Sequence, residues 1–188
     1  LVVVSYTPAI LVPVDGAPVW RAASDSRFQR VINTSALILK GGLGDRLYMH
    51  VYDGWLEASA IEGPWTLSNV QPLGMDDLAR TIAKSGQVDL LDGGPKADPK
   101  PSLANGVPRI VVSQAPTELI VFRGQPDFVP ITGTQLLWAS NTVADVFIST
   151  ADNNYYVLMS GRWFRSPGLN GPWTFVAANA LPADFARI

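Results

Sequence analysis

Cysteine is absent from this 188-residue chain, and histidine occurs once, at position 50. The first absence excludes disulfides and thiolate metal sites. The second leaves too few ligands for a histidine-based zinc site and a single candidate base for a Ser-His-Asp arrangement. Charge is also scarce: only 16% of residues are Asp, Glu, Lys or Arg, and the formal net charge is −2. Its 14 basic residues are scattered, whereas nucleic-acid binding needs clustered Lys and Arg. No apolar run approaches the roughly 18 residues of a membrane span. Gly41-Gly42-Leu43-Gly44 lacks the Lys-Ser/Thr and the helix of a phosphate loop, and no Gly-x-Ser-x-Gly elbow offers a nucleophile. Lack of cysteine is neutral between a reducing cytosol and a bacterial envelope. Leu1 in place of Met reads as a processed product or an excised fragment. Leu1-Val2-Val3-Val4 has no basic n-region and reads as a first strand rather than a signal peptide.

What the chain does have is a copy of itself. Residues 8–66, shifted by 108, lie on 116–174 without a gap, and 13 of the 59 pairs are identical. The identities are mostly turn and anchor residues: Gly16/Gly124, Pro18/Pro126, Asn33-Thr34/Asn141-Thr142, Tyr48/Tyr156, Trp55/Trp163 and Gly63-Pro64-Trp65-Thr66/Gly171-Pro172-Trp173-Thr174. Self-similarity at one fixed period marks a duplicated structural unit.

Within each copy, short apolar runs are separated by turn residues. Ile10–Val14 runs into Asp15-Gly16, a hairpin signal, before Val19-Trp20-Arg21. Phe28–Ile32 and Ala36–Lys40 flank Asn33-Thr34, which reads as a turn or bulge. The glycine-rich turn Gly41-Gly42-Leu43-Gly44-Asp45 leads to Leu47–Tyr52, then Asp53-Gly54, Trp55–Ala58 and a last strand at Trp65. In the second copy Asp152-Asn153-Asn154 and Ser160-Gly161 replace the two turns. The expected fold is all-β with minor short helices: two tandem duplicated antiparallel β units, small barrel- or sandwich-like, packed on one another with pseudo-two-fold symmetry. Helical spacing appears over Met75–Ala83, and Asp77-Leu78-Ala79-Arg80 matches Asp184-Phe185-Ala186-Arg187 at a shift of 107. The predicted division is residues 1–86 as the first unit, 87–107 as a Pro/Gly linker, loosely packed over 92–106, and 108–188 as the second unit.

Candidate chemistry is sparse. His50 lies mid-strand between Tyr48 and Tyr52, and its counterpart is Leu158. Glu57, Glu62, Asp53 and Asp25 gather in the first copy, but their counterparts are Arg165, Asn170, Gly161 and Gly133, so no duplicated carboxylate pair exists. Asp152-Asn153-Asn154 lacks the spacing of a calcium loop and reads as a hairpin turn. No catalytic residue, metal or organic cofactor is expected. Trp55, Trp65, Trp163 and Trp173 recur and read as structural anchors. Trp138 does not recur, and strand alternation puts Tyr48, His50 and Tyr52 on one face as an aromatic-polar stripe. Tyr48, His50, Tyr52 and Trp138 are therefore the candidate ligand-binding residues.

The stretch Tyr155-Tyr156 through Ser160-Gly161-Arg162-Trp163-Phe164 to Gly171-Pro172-Trp173-Thr174, with the closing Leu181–Ile188, resembles a repeat in large exported bacterial proteins of uncharacterised function. Some of these carry a loose carbohydrate-binding label. Ser166–Trp173 is also similar to the blade ends of five-bladed glycosidase propellers, which need five blades and three inward carboxylates. The resemblance implies export and a noncatalytic module contacting a glycan or a protein partner. The alternative is a structural or assembly domain of a longer envelope protein.

Overall fold

The computed structural model describes residues 1–41 and 44–188; of the expected glycine-rich turn, Gly42 and Leu43 lie outside the described residues. The strands in chain order are β1 (Val2–Ser5), β2 (Ala9–Pro13), β3 (Trp20–Ala22), β4 (Gln29–Val31), β5 (Ile38–Lys40), β6 (Leu47–Val51), β7 (Gly54–Ala58) and β8 (Thr66–Leu67). Helix α1 (Met75–Lys84) follows, and then β9 (Arg109–Ser113), β10 (Glu118–Val121), β11 (Phe128–Pro130) and β12 (Leu136–Ala139). The remaining strands are β13 (Asp145–Ser149), β14 (Asn154–Met159), β15 (Arg162–Ser166) and β16 (Thr174–Val176). Strands β3–β8 form one six-stranded antiparallel sheet and β11–β16 another, each with sequence neighbours side by side. The fold is thus all-β and duplicated, with each strand of one sheet matched in the other at the 108-residue shift (Trp20–Ala22 on Phe128–Pro130, Gly54–Ala58 on Arg162–Ser166). Both sheets are open meanders rather than the closed barrel that the sequence left possible.

Local chemistry explains why these turns are shared. Asn33 Oδ1 accepts from Val19 N at 2.8 Å while Nδ2 donates to the carbonyls of Asp15 and Ala17, both at 2.8 Å. Asn141 makes the same three bonds one copy later, to Asp127 N at 2.9 Å and to the carbonyls of Arg123 and Gln125 at 3.1 and 2.7 Å. An amide side chain alone among neutral residues supplies one acceptor and two donors in this compass. Gly171 sits at φ 86°, and a Cβ there would stand 3.2 Å from the Trp173 ring, so the turn before the tryptophan excludes side chains.

Two compact units emerge: a contiguous one, Ile10–Pro116, and a discontinuous one, Leu1–Ala9 with Thr117–Ile188. The sequence division at 86 and 107 differs from this. β1 pairs in parallel with β10, Val2 opposite Glu118, while β2 pairs with β9. Each first strand is therefore built onto the second strand of the other repeat, and the exchange is reciprocal: Phe122 N bonds Ser5 O and Val14 N bonds Ser113 O, both at 2.8 Å. Nor is 87–107 a loose linker. Val88 and Leu90 pack on the core of the contiguous unit, and Leu103 is buried in it. Asp53 fastens the segment, its carboxylate accepting from Ser102 Oγ at 2.7 Å and Leu103 N at 2.9 Å.

In both sheets each face carries a cluster of buried side chains. In the contiguous unit, one face carries Leu47, Met49 and Val51 into a cluster with Val31, Ile38 and Leu56. The opposite face carries Tyr48 and Trp55 into a second cluster with Leu37, Leu39 and the buried side of α1 (Met75, Leu78, Ala79, Ile82). Asp76 and Asp77 occupy the first turn of α1, where the helix dipole favours negative charge. In the discontinuous unit a short 3-10 turn, Ala183–Arg187, replaces α1 and inserts Phe185 in place of Leu78.

Candidate functional site

The second face of the discontinuous unit is only partly covered, and there the candidate site lies. Antiparallel register sets Trp138 opposite Phe147 and Phe147 opposite Tyr156. In the adjoining row, Asp145 is opposite Leu158 and Leu158 is opposite Trp163. Residues directly opposite share a face, as do residues two apart, so all six project to one side. Phe185 fills the middle of this face, with ring centroids 4.9 Å from Tyr156, 5.0 Å from Trp163 and 5.7 Å from Phe147. Beside it an open groove of about 610 Å³ is lined by Ile131, Trp138, Asp145, Phe147, Leu158, Trp163, Arg187 and Ile188.

Trp138 forms one wall and is 43% exposed, unusual for so large an apolar side chain. Two opposite charges edge the groove. Arg187 is held by the Gly133 carbonyl and by Asp184 at 3.5 Å, whereas Asp145 is exposed and has no ion pair among the described residues. On the same face, Tyr156 donates to Asp152 Oδ2 at 2.6 Å. Burial, reinforced by that carboxylate, pushes the phenol up to about 12. Burial works against ionisation of Asp152, but the bonds from Tyr156 and Asn154 outweigh it and hold the carboxyl below its ordinary value. The groove thus offers stacking area, an acceptor and a cation.

The four candidate binding residues fall in different places. Trp138 lines the groove. Tyr48 is 8% exposed, covered by α1. His50 is half-buried, its Nδ1 lies 2.7 Å from the Leu90 carbonyl, and its ring stands edge-on to Trp55 at 5.1 Å. Tyr52 sits in the β6–β7 turn at φ 55° and packs on the other cluster of its unit. Tyr48 and His50 are therefore covered by α1 and Leu90 of their own unit, and Tyr52 leaves the stripe for the opposite cluster. Of the recurring tryptophans, Trp55 and Trp65 are buried and hydrogen-bonded, to Asp76 Oδ1 at 2.7 Å and to the Ile61 carbonyl at 3.0 Å; Trp163 and Trp173 are half-buried.

Three of the four acids named in the first copy are engaged, while Asp25 is exposed. Glu57 pairs with Arg46 at 2.7 Å, and that bond holds its carboxyl below the ordinary value. Glu62 lies 3.5 Å from the Gln114 amide. Asp53 is lowered by the bonds from Ser102 and Leu103. Asp152-Asn153-Asn154 forms the β13–β14 turn, with Asn153 at φ 56°. No group of three or more His, Cys, Asp or Glu side chains suited to a metal occurs among the described residues, and no described helix is long and apolar enough to cross a membrane. Sequence reasoning missed Asp145, Phe147 and Arg187; the signal available was that Asp145 replaces Leu37 and Trp138 replaces Arg30, changes confined to one face of one copy. The chain matches no family model, no curated protein and no solved structure.

Proposed function

We propose that this chain is a noncatalytic binding module of an exported bacterial protein, and that the Trp138 groove is its contact surface. The observation that carries this reading is an exposed tryptophan over a 610 Å³ apolar groove edged by Asp145 and Arg187. Grooves that combine apolar lining with a few polar groups are the common form of a ligand site. An open groove encloses its ligand on one side only, so modest affinity is expected. The resemblance to exported repeat proteins supports the export part of the reading. A panel of oligosaccharides and extended peptides, titrated against wild type and Trp138→Ala, tests it. Retention of a ligand by wild type and its loss in a folded Trp138→Ala variant supports the module. Retention of none of them, by either protein, leaves the structural or assembly role ahead. Turnover of a glycoside, ester or peptide by pure protein overturns both.

A further inference from the structure

The contiguous unit contains a cast of what fits the groove. Its counterparts of the lining residues are Ala23 for Ile131, Arg30 for Trp138, Leu37 for Asp145, Leu39 for Phe147, His50 for Leu158 and Trp55 for Trp163. That surface is not open. The chain leaves α1 and lays residues 85–91 across it. Val88 and Leu90 pack against the cluster that contains Ala23, Leu37, Leu39 and Trp55. Arg30 donates to Gln87 Oε1 at 2.9 Å, and His50 Nδ1 meets the Leu90 carbonyl at 2.7 Å. The backbone joins in: Ala36 forms a parallel bridge with Asp89, Asp89 N bonds Ser35 O at 2.7 Å, and Tyr52 N bonds Leu91 O at 2.9 Å. The side-chain positions Ala23, Arg30, Leu37, Leu39, His50 and Trp55 around this segment all have equivalents that line the groove, and Ala36 precedes one of them. Val143, the counterpart of Ser35, is 98% exposed.

Building on the binding-module reading, we propose that the groove takes an extended segment of a partner polypeptide, with two apolar side chains two residues apart, lying in parallel register beside Val143-Ala144. The segment enters as Val88-Asp89-Leu90 does, its alternate side chains turned to the aromatic floor and its backbone N–H given to the Val143 carbonyl. Adding a strand in this way draws affinity from main-chain bonds and specificity from the pockets for alternate side chains. Two substitutions tune the choice. Asp145 replaces Leu37 and selects a basic or donor side chain at the position beside it. Trp138 replaces Arg30 and adds a flat wall along which the segment lies.

The test labels the protein with 5-fluorotryptophan and assigns the Trp138 resonance by its loss in Trp138→Phe. Residues 82–91 (Ile-Ala-Lys-Ser-Gly-Gln-Val-Asp-Leu-Leu) are appended after Ile188, which corresponds to Thr81 at the 107-residue shift. Tethering raises the effective concentration to about millimolar. The expected result is a shifted Trp138 resonance with a reduced solvent-isotope shift, absent when the appended Val and Leu residues are Ser. An unchanged resonance in both overturns the proposal. The same peptide is titrated in trans against the unextended chain, so that misfolding of the extended protein does not mask the answer. Oligosaccharides read on the same resonance separate the two ideas. A shift with sugar but with no peptide overturns the peptide inference and leaves the binding module standing, while no shift with any probe removes both.

Discussion

Replacing Asn141 by Ala removes three side-chain hydrogen bonds that tie residues 123–127 to the β12–β13 turn, and Asn33→Ala removes their equivalents from residues 15–19. A net bond contributes about 0.5–1.5 kcal/mol, with solvent-facing ones at the lower end. One bond of the Asn33 set is part-buried and two face solvent, giving about 2–3 kcal/mol for the set. The backbone bond from Asp15 N to Asn33 O survives the truncation, which keeps the loss from being larger. Asn→Asp is the sharper probe. It retains the acceptor for Val19 N but turns a carboxylate toward two carbonyls. Its penalty at neutral pH should equal or exceed that of Ala and shrink on acidification, when a protonated carboxyl regains one donor. Urea unfolding followed by far-ultraviolet circular dichroism and tryptophan fluorescence reads both, with two transitions fitted if the units melt separately. Costs under about 0.5 kcal/mol in both Ala variants would refute the clamp. A cost in one alone would refute the equivalence of the two turns.

Trp55→Ala should cost about 3–5 kcal/mol, the range for a buried aromatic, and Trp163→Ala distinctly less, because Trp163 is half-buried on the groove; urea midpoints that reverse this order would contradict the assigned packing. In an alkaline absorbance titration, one of the five tyrosines should ionise near 12. Since the folded value lies above the ordinary 10, the Tyr156 contribution to stability is whole below pH 10 and is lost as pH rises toward 12. Asp53 has the opposite sign: its carboxyl is lowered by Ser102 and Leu103, so its hold on residues 102–103 persists above the ordinary carboxylate value and lapses as pH falls through the folded one. Limited proteolysis by an acid-active protease should then reach residues 92–102 faster at low pH, and Asp53→Ala should show that susceptibility at neutral pH.

Strands and turns were legible in the sequence because their determinants are local. Asn33-Thr34 and Gly63-Pro64 fix the chain within a few residues, and alternation along Leu47–Val51 names the two faces of β6. Asp15-Gly16, by contrast, is no hairpin, because β2 pairs with β9 and β3 with β4, so the turn passes between two sheets. Burial of those faces was not legible, because what covers Tyr48 and His50 comes from α1 and from Leu90, some 27–42 residues away. Trp138 stood out because its counterpart is Arg30. The groove did not, since four strands, the loop after β11 and the 3-10 turn must meet to form it. Leu103 was hidden for a simpler reason: one apolar side chain among prolines, glycines and charges reads as linker until Asp53 is seen to hold it. The exchange of first strands had a signal. Val3-Val4-Ser5 recurs as Val111-Val112-Ser113, so the repeat extends further upstream than residue 8, but nothing in such a match says which second strand each will join.

That exchange bears on how the chain is made. Synthesis runs from the N-terminus, yet the partner of Val2 is Glu118 and the partner of Ser5 is Val121. The first strand therefore leaves the ribosome with its pairing edge vacant and waits for more than a hundred residues of translation. Pairings so distant in sequence are slow to close. In the meantime β2 also lacks β9, so both exposed edges belong to one nascent chain and are open to strands of its neighbours on the same message. Ser5 is a polar interruption at the end of the apolar β1 edge, and it stands where a growing chain is most in need of one.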